Sequence, residues 1–127
     1  MTIRELFVIE AMLSEFVEAN KGTFKSIHSW ELSEFIEQIE PHLTKHKAFQ
    51  DDILKKYCPE GEDKLIEVGG KMIPNFGENL EQGNIELKEI LSKDIGEIKP
   101  LKFSTIEAYE TPLQFIQLFK HFNLLEK

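Results

Sequence analysis

From Trp30 to Tyr57 an apolar or ring-bearing side chain returns every three or four positions: Trp30, Leu32, Phe35, Ile36, Ile39, Leu43, His46, Phe49, Ile53, Leu54 and Tyr57. That spacing follows the turn of an α-helix and fits no strand, whose period is two. The stripe is more than twice as long as the mean globular helix of about 11–12 residues. A short chain that commits so much of itself to one rod is predominantly helical. Pro41 lies inside the stripe, where proline removes a backbone hydrogen bond and crowds the carbonyl four residues earlier, at a cost of about 3 kcal/mol in a true helix interior. A kink or break is therefore expected between Glu37 and Pro41. Because the stripe keeps its phase past the proline, one bent helix is favoured over two, with Ser26 or Ser29 as N-cap.

A shorter stripe precedes it. Ile3, Leu6, Phe7, Ile9, Leu13, Phe16 and Val17 line one side of a helix between Thr2 and Asn20, with Glu5, Glu15 and Glu18 largely off that line. Thr2 and Glu5 have capping-box spacing, and Lys21-Gly22 supplies a positive charge and a C′ glycine where the pattern stops. After the long helix, the run from Cys58 to Asp63 has the proline, glycine and charge of an exposed turn. Leu65 to Val68 and Lys71 to Ile73, separated by Gly69-Gly70, carry the signature of a β-hairpin. A lone hairpin is marginal in water, so this one must pack on helices or find a partner strand.

A third helix is expected from about Glu78 to Lys93, with Leu80, Ile85, Leu87, Ile90 and Leu91 apolar and Gly83 interrupting them at a cost of about 1 kcal/mol relative to alanine. Ile95 to Ile106 reads as extended chain with a short strand at Lys99 to Phe103. Thr111 as N-cap, Pro112 at the first helical position and Gln114 at the capping-box position open a last helix carrying Leu113, Phe115, Ile116, Leu118, Phe119 and Phe122. The expected fold class is α+β, predominantly helical: a helical hairpin with a long bent second helix, a small β-hairpin and two further helices, all in a single domain over residues 1–127.

At 127 residues the chain has no room for a second sizeable domain, which excludes a large multidomain enzyme. One cysteine, Cys58, cannot make an internal bridge, so a disulfide-framed scaffold is excluded too. Fifteen Lys and Arg against twenty-three Asp and Glu give a formal charge of −8, which repels phosphate backbones and argues against direct nucleic-acid binding. Arg4 is the one base among the first residues, and Glu10 and Glu15 interrupt the apolar stretch that follows, which fits neither a signal nor a transit peptide. No apolar run approaches the roughly 18–20 residues of a membrane span. The expectation is a soluble, intracellularly made protein, without membrane association or signal-directed secretion.

Residues with chemical potential are few. His42 and His46 stand four apart on the long helix and could face one way, but the intervening Leu-Thr-Lys lacks the glutamate of a zinc-protease helix, and Lys45 and Lys47 repel a cation. Cys58 follows a helix C-terminus, where the macrodipole disfavours a thiolate, and no Gly-x-Ser-x-Gly elbow or phosphate-cradling glycine pattern occurs. No catalytic residue, metal or cofactor is therefore assigned. Glu31, Glu34, Glu37 and Glu40 recur every three residues and make an inclined acidic row, within a first forty residues that carry eight acids and three bases. Phe115, Phe119 and Phe122 are spaced to line one helical side, either as core or as an oligomer interface.

The tract Leu32 to Tyr57, ending in Asp52-Ile53-Leu54-Lys55-Lys56-Tyr57, the acidic turn Glu60-Gly61-Glu62-Asp63, Leu65 to Ile73, and the closing pattern of Leu87 to Leu91, Ile98, Leu101 and Leu113 to Phe122 together resemble a family of small phage and prophage proteins of Gram-positive bacteria, a domain of unknown function. Where members of that family carry a basic, arginine-containing segment before the long helix, this chain has Lys25 to Ser29 without arginine. The resemblance implies origin and architecture and carries no catalytic residues with it. The resulting expectation is a non-enzymatic phage or mobile-element accessory protein, of the host cytoplasm or of a virion, that binds another protein or itself, with Glu31, Glu34, Phe115, Phe119, Phe122, Gly69 and Gly70 as candidate interaction residues. Two alternatives stay open: an acidic inhibitor of a host nucleic-acid-binding or defence protein, and a small metal-binding protein using His42 and His46.

Overall fold

The computed structural model describes residues 1–126, and the described chain is α+β and mostly helical. Helix α1 covers Ile3–Ala19 and helix α2 covers Ser26–Tyr57. Helix α2 runs unbroken through Pro41, the one long helix favoured over two. Pro41 and Glu37, whose carbonyl loses its donor, are both exposed, so water can satisfy that carbonyl without opening the helix. By its contacts the chain groups into two compact units, Met1–Leu43 with the described residues from Asp94 onward, and Thr44–Lys93, and α2 contributes to both.

In the first unit α1 buries Ile3, Leu6, Ile9, Leu13 and Phe16, five of the seven residues of the stripe expected of it, while Val17 is half-buried and Phe7 is exposed. Each such side chain contributes about 1.5–3 kcal/mol when fully buried. Thr2 caps α1: its hydroxyl accepts from the Glu5 N–H at 3.2 Å and donates to the Glu5 carboxylate at 3.1 Å. The other end is closed by Asn20, which is buried. Its side-chain amide donates to the carbonyls of Phe16 (3.0 Å) and Glu110 (2.8 Å), and its Oδ1 accepts from the Glu110 N–H at 3.2 Å. One amide thus ends a helix and holds a segment ninety positions away. Replacing Asn20 by alanine should lower the unfolding free energy by about 1–3 kcal/mol, read by urea denaturation. Aspartate should not restore it, because a carboxylate has no N–H for the two carbonyls.

Beyond Asp94 the expected short strand forms at Leu101–Lys102, and the departure is the helical turn (Phe103–Ile106) that follows it where extended chain was expected, ahead of a helix over Leu113–His121. That last helix starts one residue later than expected, with Pro112 as its cap residue. Thr111 is no N-cap here, because its hydroxyl donates to the carbonyls of Ile106 and Tyr109 at 3.2 and 3.0 Å. The helix stops in a Schellman arrangement: Asn123 takes a φ of 56°, its N–H reaches the Lys120 carbonyl, and the Leu124 N–H reaches that of Phe119 at 2.7 Å. The reversal delivers Leu125–Glu126 as a parallel partner of the Leu101–Lys102 strand, in the register Leu101 to Leu125 and Lys102 to Glu126.

The second unit holds the last turns of α2, the hairpin strands Leu65–Val68 and Lys71–Pro74, a 3-10 turn at Gly77–Asn79, and a helix over Leu80–Leu91. Its core is small: Ile53, Leu54 and Phe76 are buried, with Tyr57, Leu87 and Ile90 packed against them. The Asn75 side chain ties the hairpin exit to its entrance by donating to the Asp63 carbonyl at 2.9 Å, while the Asn75 N–H donates to the Lys64 carbonyl at 2.8 Å. Gly83, which interrupts the apolar pattern of the Leu80–Leu91 helix, is buried against the Phe76 ring. Leu80 and Ile85, expected on the apolar side of that helix, are about half exposed.

Candidate interaction surface

The hairpin forms as its sequence demands. Gly69 and Gly70 both have positive φ, 59° and 80°, the backbone that a two-residue turn needs to match strand twist and that side chains with a Cβ resist. The register closes on Val68 opposite Lys71 and continues as Glu67 opposite Met72, Ile66 opposite Ile73 and Leu65 opposite Pro74. Residues directly opposite share a face, so Ile66, Val68 and Ile73 stand on one side and Leu65 and Met72 on the other. All five are exposed, from 37% for Ile73 to 61% for Met72. Both faces of this two-stranded sheet therefore show aliphatic surface to solvent. Isolated exposed leucines need no explanation, whereas five on eight strand residues make a patch of the kind that marks an interaction site.

The other candidate residues separate into two fates. Phe115 and Phe119 are 0% exposed; their rings stack at 4.1 Å, Phe115 meets Phe16 at 5.0 Å and Phe119 meets Phe35 at 5.8 Å. As interaction residues they are corrected: they are the core of the first unit and present no surface to a partner. Phe122, just past the helix, is half-buried. Glu31 and Glu34 instead line an open groove of about 540 Å³ together with Glu37, and Lys99 and Lys102 stand on its other wall. The groove is held by three hydrogen bonds: the Thr105 hydroxyl donates to the Glu31 carboxylate, the Lys99 N–H donates to Gln38 Oε1 at 2.8 Å, and Gln38 Nε2 donates to the Lys99 carbonyl at 3.3 Å. Glu31 is thereby half-buried and committed to a structural bond, while Glu34 is exposed.

Sequence reasoning also missed an aromatic cluster. The Tyr109 hydroxyl accepts from the Lys25 N–H at 2.8 Å and lies 2.6 Å from His28 Nδ1, and its ring packs on Phe24 at 4.6 Å. This fastens the turn between α1 and α2 to the segment before the last helix. No local spacing could have paired residues more than eighty positions apart.

Among the described residues no three His, Cys, Asp or Glu side chains gather where they could hold a metal ion. His42 is half-buried and His46 is buried at 6% exposure. The Cys58 thiol faces the carbonyls of Pro59, Glu62 and Asp63 at 3.5–3.6 Å, partners for an S–H donor. Burial pushes the His46 imidazole below its usual pKa, because the charged form loses hydration. The unfolded chain then binds the proton more readily than the folded one, so the contribution of His46 is fully present above a pH of about 6.5 and is lost as the pH falls through the folded value. Urea midpoints taken between pH 7.5 and 5 should fall on acidification, and a His46→Gln variant should show a shallower fall.

No helix among the described residues is long and apolar enough to cross a membrane. Comparison with protein-family models, with curated proteins and with solved structures finds no match to this chain.

Proposed function

We propose that this chain is a protein-binding module, not an enzyme, and that it makes contact through the hairpin of its second unit. The observation that carries this reading is the exposure of Leu65, Ile66, Val68, Met72 and Ile73 on both faces of a sheet only two strands wide. Such a surface gains by being covered, at roughly 25 cal/mol for each Å² of apolar area removed from water. The phage or mobile-element setting of the proposal comes from the resemblance of segment order alone. A charge of −8 argues for a protein partner over nucleic acid.

The test is affinity capture from host lysate beside sedimentation of the purified chain, for the natural sequence and for a variant carrying Ile66→Ser and Met72→Ser. Loss of capture or of self-association in a variant with unchanged helical content is the expected result. A natural chain that sediments as a strict monomer and retains nothing overturns the reading.

The groove lined by Glu31, Glu34 and Glu37 supports a second reading, an acidic inhibitor that meets a basic protein. Salt separates the two. Capture led by charge should weaken steeply above about 0.15 M salt, where the screening length is about 8 Å, whereas capture by the hairpin should persist.

A further inference from the structure

The hairpin has two edges, and they are not equivalent. A two-residue turn makes its closing pair, Val68 and Lys71, a mutually hydrogen-bonded one, and bonded pairs alternate along an antiparallel ladder. The next bonded pair is then Ile66 with Ile73, and the next Lys64 with Asn75, in agreement with the Asn75 N–H to Lys64 carbonyl bond at 2.8 Å. The residues between them point their backbone groups outward. On the second strand these are Met72 and Pro74, and Pro74 has no N–H to offer, so that edge is blunted. On the first strand they are Leu65 and Glu67, which present two N–H and two carbonyl groups, with no backbone partner for them among the described residues. The first strand is the open edge.

Its charge selects what can pair there. Glu60, Glu62, Asp63 and Glu67 are all exposed along this stretch, against one base, Lys64. A second copy of this chain is a poor occupant. Pairing Leu65 with Glu67 of the copy sets the two Glu67 carboxylates diagonally adjacent on one face, and slipping the register by two residues sets Glu67 against Asp63 or against itself. Like charges at such positions destabilise a sheet, and opposite charges there contribute about 0.2–1 kcal/mol per pair. We infer that the Leu65–Val68 edge accepts an extended strand from a basic partner, one whose alternate residues are Lys or Arg, facing Glu67, and aliphatic, facing Ile66. This deepens the hairpin reading and rests on it.

The test uses the full chain, labelled with 15N, and two short capped peptides, one alternating Lys with Val and Ile and the other carrying Glu in place of every Lys. The lysine peptide should shift the resonances of Leu65 to Val68, slow amide exchange at Leu65 and Glu67, and bind about three- to tenfold more tightly than the glutamate peptide. Glu67→Lys should reverse that order. Glu67→Pro, which removes an outward N–H and no ladder bond, should weaken both peptides while the amides of Ile66, Val68, Lys71 and Ile73 stay protected. Equal binding of the two peptides, an order unchanged by Glu67→Lys, or binding indifferent to Glu67→Pro would overturn the inference. Failure of the wider reading is told apart by the serine variant: loss of capture there, with no response to the lysine peptide, removes strand addition and leaves the hairpin as a face-on docking surface.

Discussion

Phe119→Ala should cost the first unit about 3–5 kcal/mol of unfolding free energy, among the largest single effects available in this chain. The ring has no exposed surface, stacks on Phe115 of its own helix at 4.1 Å and lies 5.8 Å from Phe35 of α2, so truncation leaves a cavity bounded by rings from both helices. Rings already in contact on all sides cannot collapse fully into the space, which puts the loss well above the transfer term alone. Phe122→Ala, at a half-buried ring, should cost less, about 1–2 kcal/mol. Urea denaturation of the two variants reads both numbers. The pair also decides what the aromatic spacing of the last helix is for. A core role lowers stability and leaves the sedimentation coefficient of the folded chain unchanged, whereas a change in solution mass without loss of stability would restore Phe119 to an interface.

Local periodicity made most of the elements legible, because a helix that packs on one side writes its stripe directly into the sequence. The buried residues of α1 follow that stripe, and the Gly69-Gly70 turn was readable because two consecutive positive φ angles admit few other residues. What stayed hidden depended on distance. Asn20 looks like a loop residue at the end of a helix until Glu110 is brought to it, and Thr111 looks like an N-cap until the carbonyls of Ile106 and Tyr109 compete for its hydroxyl. The parallel pairing of Leu101–Lys102 with Leu125–Glu126 spans only two residues on each side, too short to leave an alternation. Phe115 and Phe119 carried an ambiguity that no sequence pattern resolves, since a core face and an interface face have the same spacing. The hairpin was legible as a hairpin, but its exposed faces and its unequal edges needed the register.

Gly83 is the position where sequence reasoning and packing disagree most. By propensity, Gly83→Ala in the Leu80–Leu91 helix should stabilise by about 1 kcal/mol. The packing predicts the opposite sign. A Cβ built on Gly83 would lie 2.5 Å from Phe76 Cδ2 and 2.7 Å from both Cε2 and Cγ, far inside contact distance. Those atoms belong to a ring that is 1% exposed and sits edge-on to Tyr57 at 6.1 Å, not to the free end of a flexible side chain, so the ring or the helix must move. Overpacking of this kind costs about 1–3 kcal/mol and sometimes more. In a core of three buried residues the helix has few other contacts with which to absorb the shift. The expected net result for Gly83→Ala, overpacking less the gain in propensity, is a loss of about 1–2 kcal/mol, rising to about 3 kcal/mol for Gly83→Val, where the branched side chain adds volume with a smaller gain in propensity. Amide exchange should quicken across Thr44–Lys93, and a Phe76→Leu/Gly83→Ala pair should lose less than the two single changes summed, because the smaller side chain makes room for the added methyl. If Gly83→Ala instead raises the urea midpoint, Phe76 does not pack on this helix as described.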